Sequence, residues 1–123
     1  MKYQEMKDLI DREIIPQVLQ IRDAGQKEYA RNKDNVFANF ERVSKLLSIS
    51  REKALMTYLL KHIDGIISYV DGHDSQREDV TGRITDAIVY LMLFWAMTKN
   101  SDKSNISVTE FKGYQNDKYE KKY

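Results

Sequence analysis

The sequence predicts an all-α protein: a four-helix bundle followed by a short polar C-terminal tail. Three observations predict it. Apolar residues recur three and four positions apart over long stretches, the spacing of one helix face. Five glycines and one proline in 123 residues leave little for turn-rich β architecture. The breaks between the periodic stretches carry helix-capping and turn residues.

The first helix runs from about Gln4 to Ala30. Met6, Leu9, Ile10 and Ile14, then Val18, Leu19 and Ile21, keep the spacing on both sides of Pro16. Pro16 cannot donate its backbone N–H, so a kink or restart is expected there. The polar break ARNKDN follows, with Asp34 or Asn35 as N-cap of a second helix over Val36–Leu47. Ser48-Ile49-Ser50 breaks and recaps the chain before a third helix, Arg51–Val70. The turn-rich stretch DGHDSQ leads to a fourth, about Arg77–Thr98. Residues 1–98 therefore form the bundle domain. Residues 99–123, with six lysines, four acids and few apolar residues, read as a flexible or partner-docking tail.

Composition narrows the function. Charged residues make up 32% and apolar residues 41%, as in a soluble globular chain, and the formal net charge of +1 speaks against a dedicated nucleic-acid surface. The absence of cysteine excludes disulfides, zinc thiolates and cysteine nucleophiles. The longest uninterrupted apolar run, AIVYLMLFWAM, has 11 residues, against about 20 for a bilayer span. No membrane association and a cytoplasmic location are expected. Walker-type phosphate loops, Gly-x-Ser-x-Gly and His-Glu-x-x-His are absent.

The third and fourth helices carry the chemistry. At 100° per residue, Leu55, Leu59, His62, Ile63, Ile66 and Val70 form an apolar stripe, opposite Asp64 and Asp71. On the fourth helix Val80, Ile84, Ile88, Leu91 and Trp95 form the main stripe, opposite Glu78, Gly82, Asp86, Val89, Tyr90 and Leu93. A helix apolar nearly all round is expected to be covered on both sides. A second copy of the chain is the simplest cover, so a dimer or tetramer is expected. A short connection makes these helices antiparallel neighbours and brings Asp71 toward Glu78 and Asp64 toward Asp86. Four carboxylates facing one cleft suit a hard cation such as Mg²⁺. Lys61 borders that face, within reach of a carboxylate or a phosphate. The plainer alternative is a solvated acidic face, with Lys61 an ordinary surface lysine and His62 a core histidine.

The segments KEYARNKDNVFANFERVSKLL, LLKHIDGI and EDVTGRITDAIVYLML resemble the small helical MazG-like and nucleotide-modification-associated proteins common in bacteriophages. The likeness covers about residues 25–97 and rests on order and spacing. It implies an all-α bundle and, for the wider superfamily, Mg²⁺-dependent hydrolysis of nucleoside triphosphates to monophosphate and pyrophosphate. Position by position, Tyr29, Asn39, Phe40 and Arg42 match its first block, Lys61 its second, and Glu78, Asp86 and Tyr90 its third. On this resemblance Tyr29, Asn39, Arg42 and Tyr90 would contact nucleotide. Lys61 would serve catalysis, and Asp64, Asp71, Glu78 and Asp86 would hold metal. Tyr29 is followed by Ala-Arg rather than Gly-Asp, Gly82 replaces an acid, and Arg83-Ile84-Thr85-Asp86 stands where the enzymes carry Glu-x-x-Asp. An arginine at a metal-facing position repels a cation strongly in a low-dielectric cleft. Two functions follow as expectations: a pyrophosphohydrolase, or an inactive scaffold of the same kind that binds a nucleotide or a host protein as a regulatory or counter-defence factor. A small assembly protein is a third.

Overall fold

The computed structural model describes residues 1–73 and 77–100. The tail expected over 99–123 lies, beyond Asn100, outside the described residues. The described chain is all-α. Its helices are α1 (Tyr3–Leu9), α2 (Ile15–Gly25), α3 (Ala38–Leu47), α4 (Arg51–Val70) and α5 (Val80–Lys99). Two π-helical segments, Ile10–Ile14 and Gln26–Ala30, join α1 to α2 and extend α2, so 3–30 is one helical rod. With α3, α4 and α5 this makes four rods.

Pro16 explains the first π segment. In an α-helix its N–H would bond the Arg12 carbonyl, and its ring would press on that carbonyl. The turn before it is widened, so that the Ile15 N–H donates to Ile10 O five residues back. The helical backbone thus continues through the proline, where a kink or restart is the sequence expectation.

Caps set the other ends. The Asn35 side chain accepts from the Phe37 N–H at 3.0 Å and donates to the Glu41 carboxylate at 3.0 Å. The helix itself begins at Ala38, two residues later than the periodicity suggests. Ser50 caps α4 by accepting from the Lys53 N–H at 3.1 Å. The start of α5 is Val80 rather than Arg77, with Asp79 as N-cap. Arg51 ties the far end together. It pairs with Glu41 at 3.6 Å, lies 4.8 Å over the Phe37 ring, and donates to the Asn100 carbonyl at 3.0 Å.

α4 and α5 are antiparallel. Residues 58, 62 and 65 of α4 meet residues 90, 86 and 83 of α5, so numbers rise along one helix as they fall along the other. α2 packs on α5, and α3 on α4. The core fills the end away from the loop: Val18, Phe37, Phe40, Ala54, Leu55, Val89, Leu93 and Met97.

Which face of α5 turns inward differs from the sequence reading. Val89, Leu93 and Met97 are buried, on the side assigned as the second face. From the stripe assigned as the main one, Ile84 is 41%, Leu91 54% and Trp95 70% exposed. Both sides of α5 are apolar, so periodicity has no strong direction to report. The choice falls to where α2 and α4 can pack. On α4, Leu55 and Leu59 are buried as expected, whereas Val70, past the last packed turn, is exposed. α5 is also, at 20 residues and mean hydropathy 1.3, long and apolar enough to cross a bilayer by length and composition. The uninterrupted 11-residue run understates this, because the charges of Arg83 and Asp86 are isolated.

Candidate functional site

The loop-proximal half of the α4–α5 pair is polar. Its register places His62 opposite Asp86, with Nδ1 3.6 Å from Asp86 Oδ2. Gly82 and Asp86 share a face of α5, because residues four apart align on a helix, and Glu78, just before α5, reaches over that face. Its carboxyl folds over Gly82 and lies close to the Asp86 carboxyl. A Cβ on Gly82 would stand 2.9 Å from Glu78 Oε1. Glycine at position 82 thus leaves room for that carboxyl. One ligand atom each from His62, Glu78 and Asp86 lies within 4.8 Å of the others.

Burial is the main reason the Asp86 carboxyl sits above the usual carboxylate range, and the neighbouring Glu78 charge and hydrogen bond add to it. The nearby His62 and Arg83 pull the other way. Arg83 crosses α4 at Gly65, where a Cβ would collide with its guanidinium. Among the described residues, two buried polar atoms here have no hydrogen-bond partner, His62 Nδ1 and Arg83 Nε. Such groups cost about 1–3 kcal/mol each and are uncommon in a settled core.

The expected four-carboxylate cleft is corrected by this register. Asp64 and Asp71 are exposed and stand outside the donor group formed among the described residues. The helix pairing is as expected, but residue 62 faces α5. Asp64 lies two residues, about 200°, further around α4, and Asp71 is the C-terminal cap, beyond the packed turns. The imidazole of His62 takes the place they were expected to fill.

Beside this group opens a groove of about 650 Å³ between the end of the first rod, α3, α4 and α5. It gathers Tyr29, Asn39, Arg42, Lys61, Asp86 and Tyr90, six residues singled out above, from four separate segments. The second π segment, Gln26–Ala30, delivers Tyr29. It closes with Arg31 at φ 54°, whose N–H donates to Gln26 O at 2.8 Å, and this wide turn faces Glu28, Tyr29 and Arg31 to the groove. Arg42 donates to the Tyr29 carbonyl at 2.6 Å, leaving most of its five N–H donors unused by that bond.

One wall is aromatic. The Tyr58 and Tyr90 rings are nearly parallel with centroids 6.1 Å apart, His62 stacks on Tyr90 at 5.5 Å, and Phe40 meets both tyrosines edge-on. Burial, with the Asp86, Tyr29 and Tyr58 charges behind it, pushes the Tyr90 hydroxyl up to about 12. Tyr29 is raised chiefly by the adjacent Glu28 carboxylate. Both tyrosines are therefore neutral hydrogen-bonding groups at physiological pH. A second cavity of about 220 Å³ shares Glu28, Tyr29, Asn39, Asp86 and Tyr90 with the groove and runs toward Gly25 and Leu93.

Sequence reasoning passed over Glu28, Arg31 and Tyr58, and read His62 as a core histidine rather than a ligand. Tyr58, Lys61 and His62 are three and four apart, one helical face. Gly65 and Gly82, in or beside that face, are the signal that could have found it. A glycine inside a helix costs about 1 kcal/mol relative to alanine, so each marks a close approach by another group. No family model matches this chain, and no curated protein or solved structure matches it.

Proposed function

We propose that this protein is a MazG-like nucleotide-handling protein, a divalent-cation-dependent nucleoside triphosphate pyrophosphohydrolase. The observation that supports it is the gathering of six residues from four segments into one groove lined by both acids and cations. Arg31, Arg42 and Lys61 would face a polyphosphate, with Lys61 as the point charge nearest His62 in sequence. The parallel Tyr58 and Tyr90 rings offer a π surface to a base. Asn39, at the junction of the two cavities, offers a donor and an acceptor to a base edge or ribose.

The enclosed, unpartnered His62 Nδ1 and the two neighbouring carboxyls fit a cation, which would relieve both. His62, Glu78 and Asp86 would hold it. When bound, it would neutralise phosphate oxygens and acidify a water for attack. Without it, Glu78 and Asp86 repel the triphosphate.

Pyrophosphate release across all ribo- and deoxyribonucleoside triphosphates, with Mg²⁺ or Mn²⁺, tests the reading. Release from at least one, abolished by Asp86→Asn, is expected; no release from any would sink hydrolysis. One observation favours a second reading, an inactive nucleotide-binding scaffold: Arg83 sets a permanent positive charge close enough to act on Asp86. That reading expects saturable nucleotide binding without turnover.

The exposed apolar residues Leu60 and Ile67 on α4 and Ile84, Leu91 and Trp95 on α5 support a homo-oligomer that covers apolar surface on these helices. A nucleotide substrate supports a cytoplasmic location, the host's own cytoplasm for a phage-encoded chain.

A further inference from the structure

We infer that the His62–Glu78–Asp86 group is built for a first-row transition dication such as Mn²⁺ in preference to Mg²⁺. This rests on reading the group as the cation site of the proposed nucleotide protein, and it concerns which cation the residues choose.

The donor set is one imidazole nitrogen and two carboxylates, with ligand atoms within 4.8 Å of one another. Mg²⁺ is hard, sheds water reluctantly and favours all-oxygen surroundings. Imidazole suits first-row transition dications such as Fe²⁺, Ni²⁺ and Zn²⁺, and the two carboxylates make the mixed set acceptable to Mn²⁺, the hardest member of that series. Four carboxylates would select Mg²⁺; exchanging Asp64 and Asp71 for His62 changes the preference.

Three features make His62 a presented ligand rather than a filler of the core. Its side chain is only 12% exposed, and Nδ1 is enclosed with no hydrogen-bond partner. The 3.6 Å separation from Asp86 Oδ2 is an ion-pair contact longer than a hydrogen bond, so Asp86 leaves the Nδ1 hydrogen-bonding capacity unused. The stack on Tyr90 at 5.5 Å fixes the ring plane. Gly82 contributes room, since a side chain there would press on Glu78. The charge of Arg83 opposes every dication alike, so it affects the strength of binding and not the choice.

The test is Mn²⁺ binding to the full chain, followed by electron paramagnetic resonance, with Mg²⁺ as competitor. Mn²⁺ should bind, and Mg²⁺ should displace it only at about tenfold or greater excess. His62→Gln should weaken Mn²⁺ by at least about tenfold, the loss that even an outer-sphere partner carries, and leave Mg²⁺ nearly unchanged. His62→Asp, an all-oxygen set, should bring the two affinities together. Should these variants not fold, pulsed measurement on the unsubstituted chain reads the nitrogen coupling to bound Mn²⁺ directly. Absent nitrogen coupling, Mg²⁺ competing at parity, or no Mn²⁺ binding overturns the inference. Nitrogen-coupled Mn²⁺ without pyrophosphate release would sink the hydrolase and leave this standing. Pyrophosphate release with Mg²⁺ competing at parity would do the reverse.

Discussion

Leu91 and Leu93 are the same residue, two positions apart on one helix, with opposite fates. Leu93 is 9% exposed and belongs to the core with Leu55, Phe40 and Met97; Leu91 is 54% exposed. The two sides of α5 on which they lie are both apolar in sequence. The inward side also carries Gly82 and Asp86, the residues that look least like a core, while the outward side ends in Trp95, which looks most like one. Apolarity says that a surface wants cover. It does not say whether α2 and α4 provide it or a second molecule does.

That contrast can be broken experimentally. Leu93→Ala should have the largest effect, costing about 2–5 kcal/mol through lost burial and a residual cavity, at any protein concentration, read by urea unfolding. Leu91→Ala should stay within about 0.5 kcal/mol in the monomer. On the proposed oligomer, its cost should grow at dilution, and Trp95→Lys should lower the solution mass measured by light scattering. A wild-type monomer at every concentration would remove the oligomer and leave the exposed side unexplained.

The smallest effect sharpens the inward side. Because burial raises the Asp86 carboxyl in the folded state, folding favours its protonated form. Its contribution is therefore fully present below the unfolded carboxylate range and is lost as pH rises through the raised value. Above that, the ionised group works against the fold. Asp86→Asn should raise the melting temperature by a few degrees near pH 7.5 in chelator, with the gain disappearing near pH 4. A less stable variant at pH 7.5 would contradict this account of the site.

The helices were readable because their causes are local. Ser50 caps its own helix, and Arg51–Val70 appears with the bounds the sequence suggests. Antiparallel pairing of α4 with α5 was readable for the same reason, through a short connection. Tyr29, Asn39, Arg42, Lys61, Asp86 and Tyr90 were singled out one by one, and the fold brings them to one groove. His62 was not singled out as a ligand, because a histidine on an apolar stripe has no local mark that separates ligand from core. Asp64 and Asp71 were misplaced because a carboxylate's distance from a partner helix depends on rotation about the helix axis, which a spacing of two residues changes by about 200°.

The sequence by itself determined an all-α chain, where most of its helices lie, and which residue types were available for a cation and a phosphate. Periodicity and capping act within a few residues, so they are written in the chain. Tertiary structure alone decided which side of α5 became the core, that a π turn carried Tyr29 to the groove, and that an imidazole rather than Asp64 faces Asp86. Those outcomes depend on how four rods rotate and settle against one another, and two glycines, Gly65 and Gly82, are where that settling left room for Arg83 and Glu78.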